Sequence, residues 1–308
     1  MSPSILFATL IAPLAVAAAG PASPSPGSPA LREALAFHAS FDHGLNADFA
    51  RGDRTLYSYV NAQQREQGGV AGLPDGPIKI AKNEGRFGDA LLFTQKNPGR
   101  PFFKDGGNIG YNRSNWNRTI SVWLRLSPDL DLAPGYCDPL QVIGDNGDKG
   151  FIFIGFDKDT KPRDFEYGVR PLIDIWDPHR VGWLDLPHDK RPMLQVKRPP
   201  FDRGRWTHVV FTLEHINRKQ AKPTAKLYLD GQLQGAIQGW DLTLGWAENS
   251  ALLVMGSAYV GFLDELSVFD RVLTEDEVKA LYQLPNGVAD LYGQRDGASS
   301  SQRFPSLP

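Results

Sequence analysis

The side chains with chemistry to offer are mainly tryptophans set beside charged and hydrogen-bonding groups. Trp123 and Arg125 stand two apart in one alternating run, Trp206 and His208 two apart in another, and Tyr228 in a third. Residues two apart on a strand share a face. If the three runs join one sheet, these five residues share an exposed, concave surface. Aromatic faces stack on the apolar C–H faces of sugar rings, while arginine and histidine hydrogen-bond to hydroxyls. A second cluster is denser: Trp176 stands with Asp174, Asp177, His179 and Arg180 in IDIWDPHR, and Trp183 follows. Trp240 and Trp246 form a third group, in QGWDLTLGW. Loops at the edge of a scaffold are where binding residues tend to sit. The competing reading is that each aromatic anchors its loop or packs under a neighbour.

The elements that must position these residues are short and mostly extended. Period-two alternation predicts strands over residues 34–41, 90–94, 119–126, 151–156, 206–213, 225–229, 252–256 and 262–269. Asp230-Gly231 supplies a two-residue hairpin turn. In 262–269, Phe262, Asp264, Leu266 and Val268 alternate with Leu263, Glu265, Ser267 and Phe269. One helix follows. Thr274 and Glu277 form a capping box, with Leu273 and Val278 placed for a hydrophobic staple. Val278, Leu281 and Tyr282 give the helix its apolar stripe, and Pro285 and Gly287 end it. Many short strands, Gly/Pro turns and one short C-terminal helix predict an all-β fold, an antiparallel β-sandwich. Segment 131–200 reads as strands with elaborated loops within the same domain.

With 308 residues, 41% of them hydrophobic and 22% charged, the chain has the make-up of a globular domain with a sizeable core. A formal net charge of -2 argues against a nucleic-acid partner. No apolar run reaches the length of a membrane span. Residues 5–19 are apolar and rich in small side chains, with A-x-A cleavage options. They predict a signal peptide over 1–19 and a secreted or periplasmic protein. A Pro/Ser-rich linker is expected over 20–33, the folded domain over 34–286, and a disordered tail over 287–308. Cys137 is the single cysteine, so neither an internal disulfide nor a cysteine-based zinc site is available.

Six stretches in order carry a family resemblance: FHASFDHGL (37–45), GRFGDALLF (85–93), RTISVWLRL (118–126), GRWTHVVFTL (204–213), AKLYLDGQL (225–233) and GFLDELSVFDRVLTEDEV (261–278). Together they resemble laminin G-like jelly-roll domains of the concanavalin A-like lectin/glucanase superfamily. The resemblance implies a structural calcium ion near the first and last strands. Asp42 and Asp264 match those positions, and Asp48 and Asp53 lie in the loop after the first strand. Asp145, Asp148, Asp157 and Asp159 form a second acidic group without the glycine and glutamate of an EF-hand loop. Glucanases of the superfamily carry E-x-D-x-x-E on one strand, and this chain has no such motif. Similar lyases use histidine, tyrosine and arginine, which His208, Tyr228 and Arg125 would imitate. The expectation is a secreted module that binds a carbohydrate or glycoconjugate without turning it over. Its ligand-binding residues would be Trp123, Arg125, Trp176, His179, Arg180, Trp206, His208 and Tyr228. Two rivals stand beside it. One is a glycoside hydrolase or lyase using Asp164, Glu166, Asp174, Asp177 or Asp185; the other is a module that docks another extracellular protein.

Overall fold

Alternating side chains become two antiparallel sheets packed face to face. The computed structural model describes residues 29–292 except 74 and 159. The expected signal peptide, residues 20–28 of the linker, Asp159 and residues 293–308 lie outside the described residues. The first sheet has nine strands. Its order is Gln232–Ile237, Thr224–Leu229, Thr207–Ile216, Trp116–Arg125, Gly261–Phe269, Leu35–Ala39, Phe49–Ala50. Ala90–Phe93 also pairs with Gly261–Phe269, and Ile78–Ala81 with Ala90–Phe93. The second sheet has eight strands. They run Met193–Val196, Phe165–Arg170, Phe151–Phe156, Cys137–Ile143, Leu252–Ser257, Arg100–Lys104, Tyr57–Tyr59, Val70–Ala71. Segment 131–200 thus supplies the second sheet's first four strands, not a separate core.

Register decides which residues meet. Val209 lies opposite Val122, Phe211 opposite Ile120, and Leu227 opposite Phe211. These inward side chains join Leu140, Val142, Ile152 and Ile154 of the second sheet in one buried cluster. Burial of this kind contributes about 25 cal/mol per Å² of apolar surface and dominates the fold.

The strict alternation expected over 262–269 does not hold. Leu263 and Leu266 both reach the main core although they are three apart. A register shift between Asp264 and Ser267 absorbs the extra residue, with Glu265 at φ 52. It is a β-bulge, which turns both carboxylates away from the inner face.

The C-terminal helix is where the capping signals put it, Glu275–Tyr282, and both halves of the Thr274–Glu277 box are made. Leu273 and Val278 share one buried cluster. Asp230 and Gly231 take φ 49 and 75, the mirror-image hairpin geometry. Four further helices, Pro29–Ala34, Ala62–Glu66, Pro128–Asp131 and Ile173–Trp176, have four to six residues each. That is too short to show a 3.6-residue period. All of Pro29–Ala34 except Ala34 falls inside the expected linker, and Gly287–Leu291 falls inside the expected tail. Leu31 and Leu291 are nevertheless fully buried against the C-terminal helix, so the packed unit extends past both expected boundaries. Among the described residues no helix is long and apolar enough to cross a membrane.

Candidate functional site

The outer face of the first sheet carries five of the expected binding residues, but it is not an open surface. Trp123, His208 and Tyr228 are 5%, 1% and 1% exposed. Trp123 stacks on His208 at 4.7 Å and on Tyr282 of the C-terminal helix at 5.6 Å, with the Arg86 guanidinium 4.9 Å from its ring. Nε2 of His208 bonds Ser121 Oγ at 2.8 Å, and burial lowers its pKa to about 3. A histidine held neutral at this depth is a packing residue. Burial lifts Tyr228 to about 12, in a cluster with Val210, Val278 and Leu281. The apolar stripe of the helix needed a partner, and this face is it. The lyase-like trio of His208, Tyr228 and Arg125 therefore has no common access to solvent.

Arg125 and Trp206 are half-buried at the rim of that face. The Arg125 guanidinium lies 4.1 Å from the Phe262 ring and 5.1 Å from Trp206, and pairs with Glu84 at 2.8 Å. Arg125 and Phe262 line a shallow cavity of about 560 Å³.

The Trp176 cluster is split by its own packing. Trp176 is 5% exposed and meets Trp183 edge-on at 5.3 Å, while Arg170 from the second sheet lies over both rings. Asp177 is buried and accepts from Val181 N and Gly182 N, holding the loop's turn. Trp176 thus anchors the loop. His179 and Arg180 are exposed, and Arg180 pairs with Asp174.

The four carboxylates expected around calcium do not share a centre. Asp264 accepts from the backbone of Arg86, Phe87 and Glu265, and its burial raises its pKa. Asp42 accepts from Asp89 N, Asp48 from Ser40 and His43, and Asp53 from Thr55 N and the Tyr57 hydroxyl. Their oxygens are turned to N–H and O–H donors that fix loops. Among the described residues no three His, Cys, Asp or Glu side chains stand close enough to hold a metal. The residues present do not fit a shared calcium site.

Two carboxyls of segment 131–200 have unusual surroundings. Asp138 and Glu166 both have pKa values raised to about 7 by desolvation. Asp138 accepts from Gln141 at 2.6 Å and Glu166 from Gln195 at 3.0 Å. A Cβ on Gly155, which pairs with Glu166, would come within 2.5 Å of the Asp138 carboxylate. Both are therefore on the outer face of the second sheet. Glu166 is 1% exposed.

The open, concave chemistry lies at the sandwich edge. The loop after Thr207–Ile216 and the loop after Gln232–Ile237 enclose a cavity of about 910 Å³. Trp240 lines it, half-buried and resting on the main core. Arg218, Lys219, Lys222 and Gln238 line it as well and are exposed. Asn217, at φ 70, ties its wall together. Its amide donates to Asn112 O at 2.7 Å and its Oδ1 accepts from Leu244 N at 2.7 Å. Asp241 accepts from Thr243 N and Oγ1, so its carboxylate shapes the second loop. A half-buried aromatic with several hydrogen-bonding groups around it suits a polyol ring. The sequence points to Trp240 but not to the NRKQA loop that faces it. The available signal was three cations and no acid between two strong strands.

The model of a family described as Laminin_G_3, concanavalin A-like lectin/glucanases superfamily, matches residues 109–279. The structure is similar to domain 4 of AbnA, an extracellular arabinanase from Geobacillus stearothermophilus, solved with arabinotriose. The TM-score is 0.50 at 18% identity, covering 81% of this chain and 98% of that one. It is also similar to the binding domain of botulinum neurotoxin DC in complex with SialylT. There the TM-score is 0.51 at 12% identity, covering 82% of this chain and 52% of that one. The receptor-binding domain of the botulinum neurotoxin C/D mosaic serotype gives 0.52 at 10% identity, with 82% and 51% covered. The chain thus spans about half the length of these toxin domains. At such identities the likeness shows the fold. No curated protein sequence matches.

Proposed function

Because the chain belongs to the concanavalin A-like lectin/glucanases superfamily, we propose that it is a carbohydrate-binding module that seats a glycan in the edge cavity beside Trp240. The observation that carries the reading is the cavity itself, about 910 Å³ with an aromatic resting on the core and polar side chains around it. The arabinanase domain solved with arabinotriose and the toxin domain in complex with SialylT support the ligand class. We also propose secretion, on the apolar, small-residue stretch 5–19. Stacking and hydrogen bonds to one sugar or two give modest affinity, since binding also costs rotational freedom and loop ordering. Calorimetric titration of the full chain against neutral and acidic oligosaccharides tests this. Binding weakened at least about tenfold in Trp240→Ala, about 1.4 kcal/mol, is the expected result. An intact fold that takes up no glycan at millimolar concentration ends the reading.

A hydrolytic reading has one observation in its favour. Asp138 and Glu166, both with pKa values near 7, are on the outer face of the second sheet. A carboxylic acid half-protonated at neutral pH suits a general acid. Glu166 is buried, however, and neither residue lines the cavities described above. Release of reducing ends from any polysaccharide, abolished in Glu166→Gln, would favour it.

A further inference from the structure

Charge in the edge cavity is lopsided in a chain that is otherwise balanced. The full sequence carries 33 basic and 35 acidic side chains. Several of its surface cations have an acidic partner: Arg51 pairs with Asp270, Lys149 with Asp145, Arg205 with Asp230 and Lys226 with Glu275. The run from Asn217 to Thr224 differs, with Arg218, Lys219 and Lys222 and no carboxylate at all. None of the three forms an ion pair among the described residues, although all three line the edge cavity of about 910 Å³. One acid, Asp241, also lines the cavity and accepts from Thr243 N and Oγ1, so the wall carries three cations against one anion. Three unpaired cations around a concave wall raise the local concentration of anions, because a cleft of one sign focuses its field. Arginine adds a planar fork that matches the oxygens of a carboxylate or sulfate.

We infer that the occupant of this cavity is an acidic glycan, a chain whose sugars carry carboxylate or sulfate groups. Its ring lies against Trp240 and its anions meet Arg218, Lys219 and Lys222. The inference rests on the reading that the cavity takes a glycan, and it specifies which class. Trp240 and Gln238 provide what a sugar ring and its hydroxyls need; the cations provide what a neutral sugar would leave unused.

Matched probes separate the two levels. The full chain is titrated with tetragalacturonate and its methyl ester, and with a chondroitin sulfate tetrasaccharide and its desulfated form. A neutral arabino-oligosaccharide and inorganic polyphosphate complete the set. At low salt an acidic member is expected to bind at least about tenfold tighter than its neutral partner, with the gap narrowing as salt screens the charges. The R218Q/K219Q/K222Q variant is expected to bring the acidic ligand to the level of its neutral partner. Trp240→Ala should weaken both, and circular dichroism confirms that each variant is folded. Equal binding of the acidic and neutral members overturns this inference and leaves the glycan reading intact. Polyphosphate binding as tightly as the acidic glycans, with no loss in Trp240→Ala, also overturns it, because the patch would then attract anions of any kind. Failure of every glycan, neutral ones included, removes both.

Discussion

Two tryptophans of this chain stand in opposite circumstances. Trp123 packs in a three-ring cluster with His208 and Tyr282, with the Arg86 guanidinium over its ring, and is 5% exposed. Trp240 rests on the core with one side on a wide cavity and cations around it. Trp123 is on a regular strand in the middle of a sheet; Trp240 is in a loop that follows the sheet's edge strand. A regular sheet face presents a broad surface, and a broad apolar surface is what an amphipathic helix needs in order to bury its stripe. The helix Glu275–Tyr282 took that face, and with it the chemistry that looked available there. The loop edge had no element to cover it. Aromatic residue type therefore says little about role until the cover is known.

The comparison breaks most readily at Trp123. Trp123→Ala should cost about 3–5 kcal/mol, as truncation of a buried tryptophan does. Thermal denaturation would show it, while the folded fraction should bind glycan with unchanged affinity. Loss of affinity without loss of stability would exchange the roles of the two residues.

Acidification probes the same sealed layer. His208 has its pKa lowered from 6.5 to about 3 by burial, so below pH 6.5 the unfolded chain takes up a proton that the folded chain refuses. This contribution is present above 6.5 and is lost as pH falls, by about 1.4 kcal/mol per unit at most. By pH 5 it amounts to roughly 1–2 kcal/mol. Asp138 and Glu166 act in the opposite direction. Raised to about 7, they bind protons in the folded state first, so their contribution is present at low pH and is lost as pH rises toward 7. The quantity to read is thus the difference in slope between the native chain and His208→Gln. Identical slopes between pH 5 and 6.5 would mean that His208 is not sealed.

The cap that holds the cover is the next step down. Thr274→Ala removes a side chain that accepts from Glu277 N, and should cost about 1 kcal/mol. Chemical denaturation should show a lower midpoint with glycan affinity unaltered. A drop in affinity would mean that the helix, and not the edge loop, borders the ligand.

Much of the fold was legible because its signals are local. Strands 119–126 and 206–213 alternate cleanly and pair in register, and the Thr274 box and the Asp230-Gly231 turn each involve residues within four positions. What was not legible depends on distant partners. Nothing near Trp123 announces that Tyr282 will cover it. The bulge at Glu265 has no glycine to mark its positive φ, so a clean alternation was read through it. Asp42, Asp48, Asp53 and Asp264 have the residue type that calcium needs, yet their oxygens face N–H and O–H groups of loops, which no spacing rule reveals. The edge cavity exists because Asn217 joins three loops, two of which are far apart in sequence.

The smallest expected effect is also the one that most directly opposes the two regions. In the sealed layer every substitution should lower stability, because each group there is packed or bonded. At the open edge the reverse should hold for the cations. Arg218, Lys219 and Lys222 lie within five residues of one another, are exposed, and share their cavity with a single acid, Asp241. Like charges held this close repel, so the native chain carries a small electrostatic cost that an anionic ligand or added salt relieves. The R218Q/K219Q/K222Q variant should therefore be at least as stable as the native chain, by up to about 0.5 kcal/mol at low salt. The difference should vanish at high ionic strength, where the repulsion is screened. Differential scanning calorimetry at two salt concentrations resolves it. A variant less stable than the native chain at low salt would mean that these cations serve the fold, and that the edge is as structural as the face beneath the helix.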